Sequence, residues 1–249
     1  MLKTLGVVQI SSDQSSLLNK LSRKLGGKSL LEWVVRRVTD TQRLESVLVV
    51  LGTSPRERFL GELVPTDVPV YFGAAADPLA QLLAALKQHP AESIVRVCAE
   101  NPYVDPVLMD QLVRTADEQP GLDYISFCSR TGQPTVLTPL GHFAEWCTHA
   151  ALRQADQQTT DPRDRAGVTR YLYTHPDKFQ VRLLPVPPEL DRDDLRLKVD
   201  HEEDWEHAQV IHEALGSDEW DWQHLAGLLD QQPALRERMA VLNRASAQT

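Results

Sequence analysis

Short apolar runs rich in β-branched residues alternate with stretches of helical period along most of the chain. Leu5 to Ile10, Ser46 to Gly52, Val68 to Gly73, Ile94 to Ala99 and Tyr124 to Cys128 read as strands. Between them the apolar positions recur at helical spacing. Leu30, Leu31, Val34, Val35 and Val38 share one side, with Glu32, Arg36 and Arg37 on the other, and Pro78 to His89 repeats the pattern through Leu79, Leu82, Leu83 and Leu86. Strand and helix alternating at this pace predict an α/β fold, a mostly parallel central sheet flanked by helices. In such sheets ligands bind outside the carboxyl ends of the strands.

The regularity loosens between Gly132 and Arg165. There Gly132, Pro134 and Pro139 precede a helical run from His142 to Ala155 and a polar segment, Gln157 to Arg165. The pattern predicts an inserted lobe over about residues 130–165. Strands follow at Val181 to Pro187 and Leu195 to Val199, then a helix from His201 to Leu215. The tail from Ser217 onward carries two helical segments broken by Pro233, a residue suited to the first turn of a helix. The expected organisation is one α/β domain over residues 1–215 with a helical tail over 216–249.

A length of 249 residues with 42% hydrophobic content suffices for a continuous core. The balance of 26 basic against 35 acidic residues, a net charge of −9, argues against a nucleic-acid binder, so any phosphate site must be local. Cys98, Cys128 and Cys147 lack Cys-x-x-Cys spacing and read as reduced thiols. With no secretory leader and no run of eighteen apolar residues, the expectation is a cytoplasmic protein that neither spans nor anchors to a membrane. His207 and His212 do not share a helix face, and no His-Glu-x-x-His, Gly-x-Ser-x-Gly, P-loop or Gly-x-Gly-x-x-Gly motif occurs.

The candidate chemistry gathers at strand ends. Ser11, Ser12 and Ser15 lie in the polar stretch after the first strand, where backbone N–H groups commonly cradle phosphate, and Lys20, Arg23, Lys24 and Lys28 make a local basic stretch. An ordinary polar loop is the plain alternative. Gly26-Gly27-Lys28 reads as a tight turn into a helix capped by Ser29 with Glu32. Glu100 and Asp200 each follow a predicted strand, and on neighbouring strands they would converge on one rim and share a Mg²⁺ with substrate phosphates. The alternatives are a capping box of Asp200 with Glu203 and a solvated acid at Glu100. Asp191-Arg192-Asp193-Asp194 follows a Pro-rich turn and reads as a solvated loop.

In order and spacing these segments resemble the cytidylyltransferases of the spore-coat polysaccharide type, relatives of the enzymes that make CMP-KDO and CMP-sialic acid. The residues that carry the resemblance are Gln9, Lys20, Leu25, Gly26, Gly27, Lys28, Leu30 and Leu31, the segment Ile94 to Pro106, and Arg196 to Asp200 with Glu203 and Asp204. The resemblance implies a Rossmann-like nucleotide-diphospho-sugar transferase fold and a homodimer. It also implies a reaction in which a sugar hydroxyl attacks the α-phosphorus of CTP and expels pyrophosphate. By position it assigns catalysis to Lys20, Glu100 and Asp200, Mg²⁺ to Glu100 and Asp200, and nucleotide contacts to Gln9, Ser11, Ser12, Ser15, Lys20 and Lys28. Nucleotide and sugar substrates are the implied partners.

The departures fall in the phosphate loop, where Ser11, Asp13, Ser16 and Asn19 stand for two arginines and two glycines and Leu18 for a proline. Every missing charge-assisted hydrogen bond there weakens triphosphate binding by about 1.5–3 kcal/mol. Glu100 replaces an aspartate. Arg130 to Val136 lacks the two acids that meet the acceptor in the family. Two other readings of the scaffold therefore stand beside the first: a catalytically impaired relative that binds a nucleotide, sugar nucleotide or partner enzyme, and a glycosyltransferase of similar architecture.

Overall fold

A computed structural model describes residues 1–10, 15–74, 76–216 and 220–246. β1 (Leu2–Gln9) is followed by α1 (Ser15–Leu21), the short strands β2 (Lys24–Leu25) and β3 (Lys28–Ser29), and α2 (Leu30–Thr39). Then come β4 (Ser46–Leu51), α3 (Pro55–Glu62), β5 (Val70–Phe72), α4 (Pro78–Gln88), β6 (Ala91–Cys98), α5 (Pro106–Glu118) and β7 (Tyr124–Cys128). After a 3₁₀ turn (Thr135–Leu137) lie β8 (Glu145–Thr148), α6 (His149–Gln158), α7 (Pro162–Ala166), α8 (Arg170–Thr174) and β9 (Val181–Pro185). The helices α9 (Glu202–Leu215), α10 (Trp222–Asp230) and α11 (Pro233–Ser246) follow.

The main sheet has the order β5-β4-β1-β6-β8-β7-β9 and is parallel except at β8, which runs antiparallel to both β6 and β7. This is the mostly parallel α/β sheet the pattern predicted. Both faces are covered, which is why the central strands read as nearly unbroken apolar runs. Alternate side chains sort between two cores. Val8 and Ile10 of the first strand segment join the larger core with α1, α2, α5 and the C-terminal helices, while Leu5 and Val7 join the other with α4, α6 and α8. Trp220, Leu225, Leu229, Leu235 and Met239 also enter the larger core, and Trp220 packs 4.5 Å from Trp33 and 4.9 Å from Tyr103 between ring centres.

Two expected elements differ. The helical run from His142 to Ala155 begins only at His149, where the Thr148 hydroxyl accepts from Ala151 N–H at 3.1 Å. Glu145–Thr148 is a strand because it fills a slot between β6 and β7 and completes both ladders at once. That part of the 130–165 stretch is therefore sheet rather than lobe. Leu195 to Val199 is not a ladder strand. Its alternation comes from burying Leu195, Leu197 and Val199 in an extended loop, whose amides bond to loop carbonyls: Leu197 to Pro139 at 3.0 Å and Val199 to Glu100 at 2.7 Å. Among the described residues no helix is long and apolar enough to cross a membrane.

Candidate functional site

The end of β6 and the loop before α9 meet at the carboxyl edge of the sheet. The bond from Val199 N–H to the Glu100 carbonyl brings residues 198–200 against residue 100, although the sequence separates them widely. Glu100 and Lys198 line one small cavity of about 40 Å³ together with Arg96, Cys98 and Asn101. Burial pushes the Glu100 carboxyl above the usual carboxylate range, against the opposing pull of Arg96 and Lys198.

Asp200 lies in a different electrostatic setting. Lys198 Nζ is 2.6 Å from its Oδ2, and a guanidinium nitrogen of Arg196 is 2.5 Å from its Oδ1. Burial alone would raise its pKa, but hydrogen bonds at Asp204 and Lys198 and the charges of Lys198 and Arg196 bring it down to about 2. Arg196, 2% exposed, also bonds to Asp204 at 2.6 Å. The cap of α9 sits one residue later than the spacing of Asp200 and Glu203 suggested: His201 N–H donates to Asp204 Oδ2 at 2.8 Å and Asp200 N–H at 3.1 Å. Asp200 therefore accepts no cap bond, and its carboxylate faces Lys198 and Arg196, with His201 Nε2 3.7 Å from Oδ1.

The basic stretch after β1 divides. Lys20 on α1 is 6% exposed and has no ion-pair partner within 4 Å among the described residues, while its charge acts on Glu202 at the start of α9. Arg23 forms a close ion pair with the same Glu202 and lies over the Trp205 ring. Gly26 and Gly27, at φ of 57° and 89°, make the turn of the β2–β3 hairpin. Lys28 emerges from that turn with Nζ 4.3 Å from the centre of the Trp33 ring. As expected, Ser29 accepts from Glu32 N–H at 3.1 Å to cap α2.

Gln9 is 1% exposed and its amide is committed internally. Its nitrogen donates to the Pro78 carbonyl at 2.9 Å and its oxygen accepts from Arg96 Nε at 3.0 Å. Arg96 in turn pairs with Glu145 at 2.9 Å. Gln9 thus belongs to a polar network under the sheet on the α4 side, away from α1. Ser11 and Ser12 lie outside the described residues, and Ser15 is described in its backbone alone.

Beside the rim opens a cleft of about 560 Å³. One wall is the segment after β7, with Arg130, Thr131 and Gln133; another carries Arg196 and Lys198; α11 closes it with Asn243. Asp191, Arg192 and Asp193 line this cleft in a loop that is ion-paired, while the Asp193 carboxylate stays 91% exposed. Arg130 bonds to Asp193 at 2.6 Å, and Asp194 holds Arg192 at 3.0 Å and Arg236 at 2.8 Å. Asn243 Nδ2 donates to the carbonyls of Asp193 and Leu195, both at 2.9 Å. Sequence reasoning assigned no functional role to Lys198, Arg196 or Asn243. A lysine between two buried apolar positions and next but one to an acid was the available signal for Lys198.

Mg²⁺ usually takes one or two carboxylates together with substrate phosphates and water. Glu100 and Asp200 supply the right donor type. Both oxygens of Asp200 are nonetheless engaged by cations, and no three His, Cys, Asp or Glu side chains converge on a metal position among the described residues. This set does not fit a divalent ion held by the protein alone.

Among known proteins, the chain is 26% identical to an uncharacterised protein of Methanocaldococcus jannaschii over 94% of this chain and 93% of that one. It is 25% identical to the spore coat polysaccharide biosynthesis protein SpsF of Bacillus subtilis, over 84% of this chain and 86% of that one. The solved structure of a cytidylyltransferase from Leptospira borgpetersenii superposes with a TM-score of 0.80 at 21% identity, covering 94% of this chain and 95% of that one, which establishes the shared fold. Residues 12–175, from just after β1 to just past α8, match the model of the MobA-like NTP transferase domain, and the chain belongs to that family.

Proposed function

We propose that the chain is a cytidylyltransferase that joins the α-phosphate of CTP to a sugar hydroxyl and releases pyrophosphate, in polysaccharide or glycan synthesis. The observation that carries the reading is the rim at the carboxyl edge, where the Val199–Glu100 backbone bond sets Lys198 and Arg196 beside a cleft large enough for a sugar. Support comes also from family membership and from the relatives named above.

In this reading Lys20, a shielded cation with no acid bound to it among the described residues, meets the triphosphate from α1. Its ammonium stabilises charge that builds on the pyrophosphate as the bond from the α-phosphorus to the bridging oxygen breaks. The sugar sits in the cleft between Arg130 and Asn243, and its hydroxyl oxygen forms the new bond to the α-phosphorus as pyrophosphate leaves, its proton passing to solvent water. Holding both partners at one edge supplies the proximity term of catalysis. Gln9, fixed by Arg96, anchors the end of β1 from below.

The test is a pyrophosphate-release assay with each nucleoside triphosphate against a panel of acidic and deoxy sugars, run with and without divalent cation. Turnover should require CTP, and Lys20→Ala should raise the KM for the triphosphate. Absence of turnover with every pairing, together with no calorimetric binding of CTP, sinks the reading. Binding without turnover transfers the site to a non-catalytic nucleotide-binding role.

A further inference from the structure

We propose that Lys198 is the built-in cation of this rim: its ammonium takes the place beside Glu100 and Asp200 that a divalent ion would need, and presents a fixed positive charge to a nucleotide phosphate. The inference rests on the proposed nucleotide reading for its ligand. Its electrostatic part stands on the geometry.

Two carboxylates brought to one edge repel each other, and the usual remedy is a shared cation or a shared proton. Here the remedy is covalently attached to the chain. Lys198 Nζ lies 2.6 Å from Asp200 Oδ2, and Lys198 lines the same small cavity as Glu100. Lys198 also borders the 560 Å³ cleft, so its ammonium stands where the two spaces join. The segment that positions it is held at both ends. Leu197 and Val199 are each 1% exposed and bond through their amides to Pro139 and Glu100.

Arg196 reinforces the arrangement from the other side. It holds the second oxygen of Asp200 at 2.5 Å and is itself fixed by Asp204. A metal entering between the acids would have to displace the ammonium and share Asp200 with a buried guanidinium. A threonine at position 198 would bring no charge to the acids.

Manganese serves as the probe, followed by electron paramagnetic resonance on the full chain. The protein itself should show no saturable Mn²⁺ binding at the rim. Lys198→Thr should create a saturable site, tightening Mn²⁺ affinity by about tenfold or more, and adding Asp200→Asn should abolish it. Lys198→Arg, which keeps the charge, should behave as the unaltered protein.

Calorimetry with CTP in EDTA supplies the second arm. Binding that survives the chelator and weakens in Lys198→Thr is expected. A saturable Mn²⁺ site in the unaltered chain that Lys198→Thr leaves unchanged overturns the inference. Failure of CTP to bind under any condition, with the Mn²⁺ results as expected, instead removes the nucleotide reading and leaves the counter-ion assignment intact.

Discussion

Replacing Glu145 by glutamine tests how far the centre of the sheet depends on one buried charge pair. Arg96 and Glu145 are 4% and 3% exposed and 2.9 Å apart. The other oxygen of Glu145 accepts from the hydroxyls of Tyr124 at 2.5 Å and Thr169 at 2.7 Å. Glu145→Gln keeps the shape but removes the anion, and breaking a buried pair from one side costs about 3–5 kcal/mol. Set against a total stability of about 5–15 kcal/mol, this leaves a marginal fold. For a chain of this size the melting temperature should fall by roughly 6–20 °C. Urea unfolding followed by tryptophan fluorescence measures the loss, and Trp146 lies next to the altered residue. The double variant Arg96→Met with Glu145→Leu removes both charges and should be less destabilised than the sum of the single changes. A Glu145→Gln midpoint indistinguishable from that of the parent, or strict additivity in the double variant, refutes the argument that these charges are mutually dependent.

Other outcomes follow from neighbouring features. Gly26→Ala places a Cβ 2.3 Å from His212 Nε2, whereas Gly27→Ala meets nothing within 4 Å, and both sit at positive φ. Each should lose about 1–2 kcal/mol from the left-handed backbone, and Gly26→Ala should lose clearly more; equal losses contradict the packing of the hairpin on α9. Burial lowers His142 from the ordinary 6.5 to about 3 and His207 to about 4. Between those values and 6.5 the unfolded chain takes up protons that the folded chain refuses, so stability should fall as pH drops below about 6.5. A melting temperature that holds from pH 7 to pH 5, or His207→Gln leaving the acid limb unchanged, goes against this. Asn243→Ala removes three hydrogen bonds to the cleft wall, two from its Nδ2 and one from Arg196 to its Oδ1, and should raise the KM for the acceptor while leaving CTP affinity near that of the parent. An equal loss of both places α11 outside acceptor binding.

The sequence exposed the parallel part of the sheet because strands buried on both faces are apolar along their whole length and end at turn residues, as Ser46 to Gly52 and Tyr124 to Cys128 do. β8 escaped notice because it is short, opens with a charged Glu145 and runs directly into α6. Its strand character depends on a slot made by residues distant in sequence. Leu195 to Val199 gave the opposite error, since burial in a loop and burial in a ladder leave the same alternation. Glu100 and Asp200 were legible as a pair through their place after apolar runs, and the chain does bring those segments together. That Asp200 is held by Lys198 and Arg196 was not legible, because i, i+2 and i, i+4 spacings in irregular backbone say nothing about which side chains meet. The position of Gln9 at a strand end suggests that it faces a ligand, yet its side chain falls on the α4 side of the sheet with Leu5 and Val7.

Arg96 and Glu145 also stand directly opposite each other as ladder partners of β6 and β8. Sliding β8 by one residue would turn Glu145 to the other side of the sheet and strand the two charges in separate apolar layers. The reversed strand at the junction of the two parallel halves therefore carries its own proofreading: only one alignment of four residues lets opposite charges cancel. A slipped sheet bears the cost of two separated buried charges.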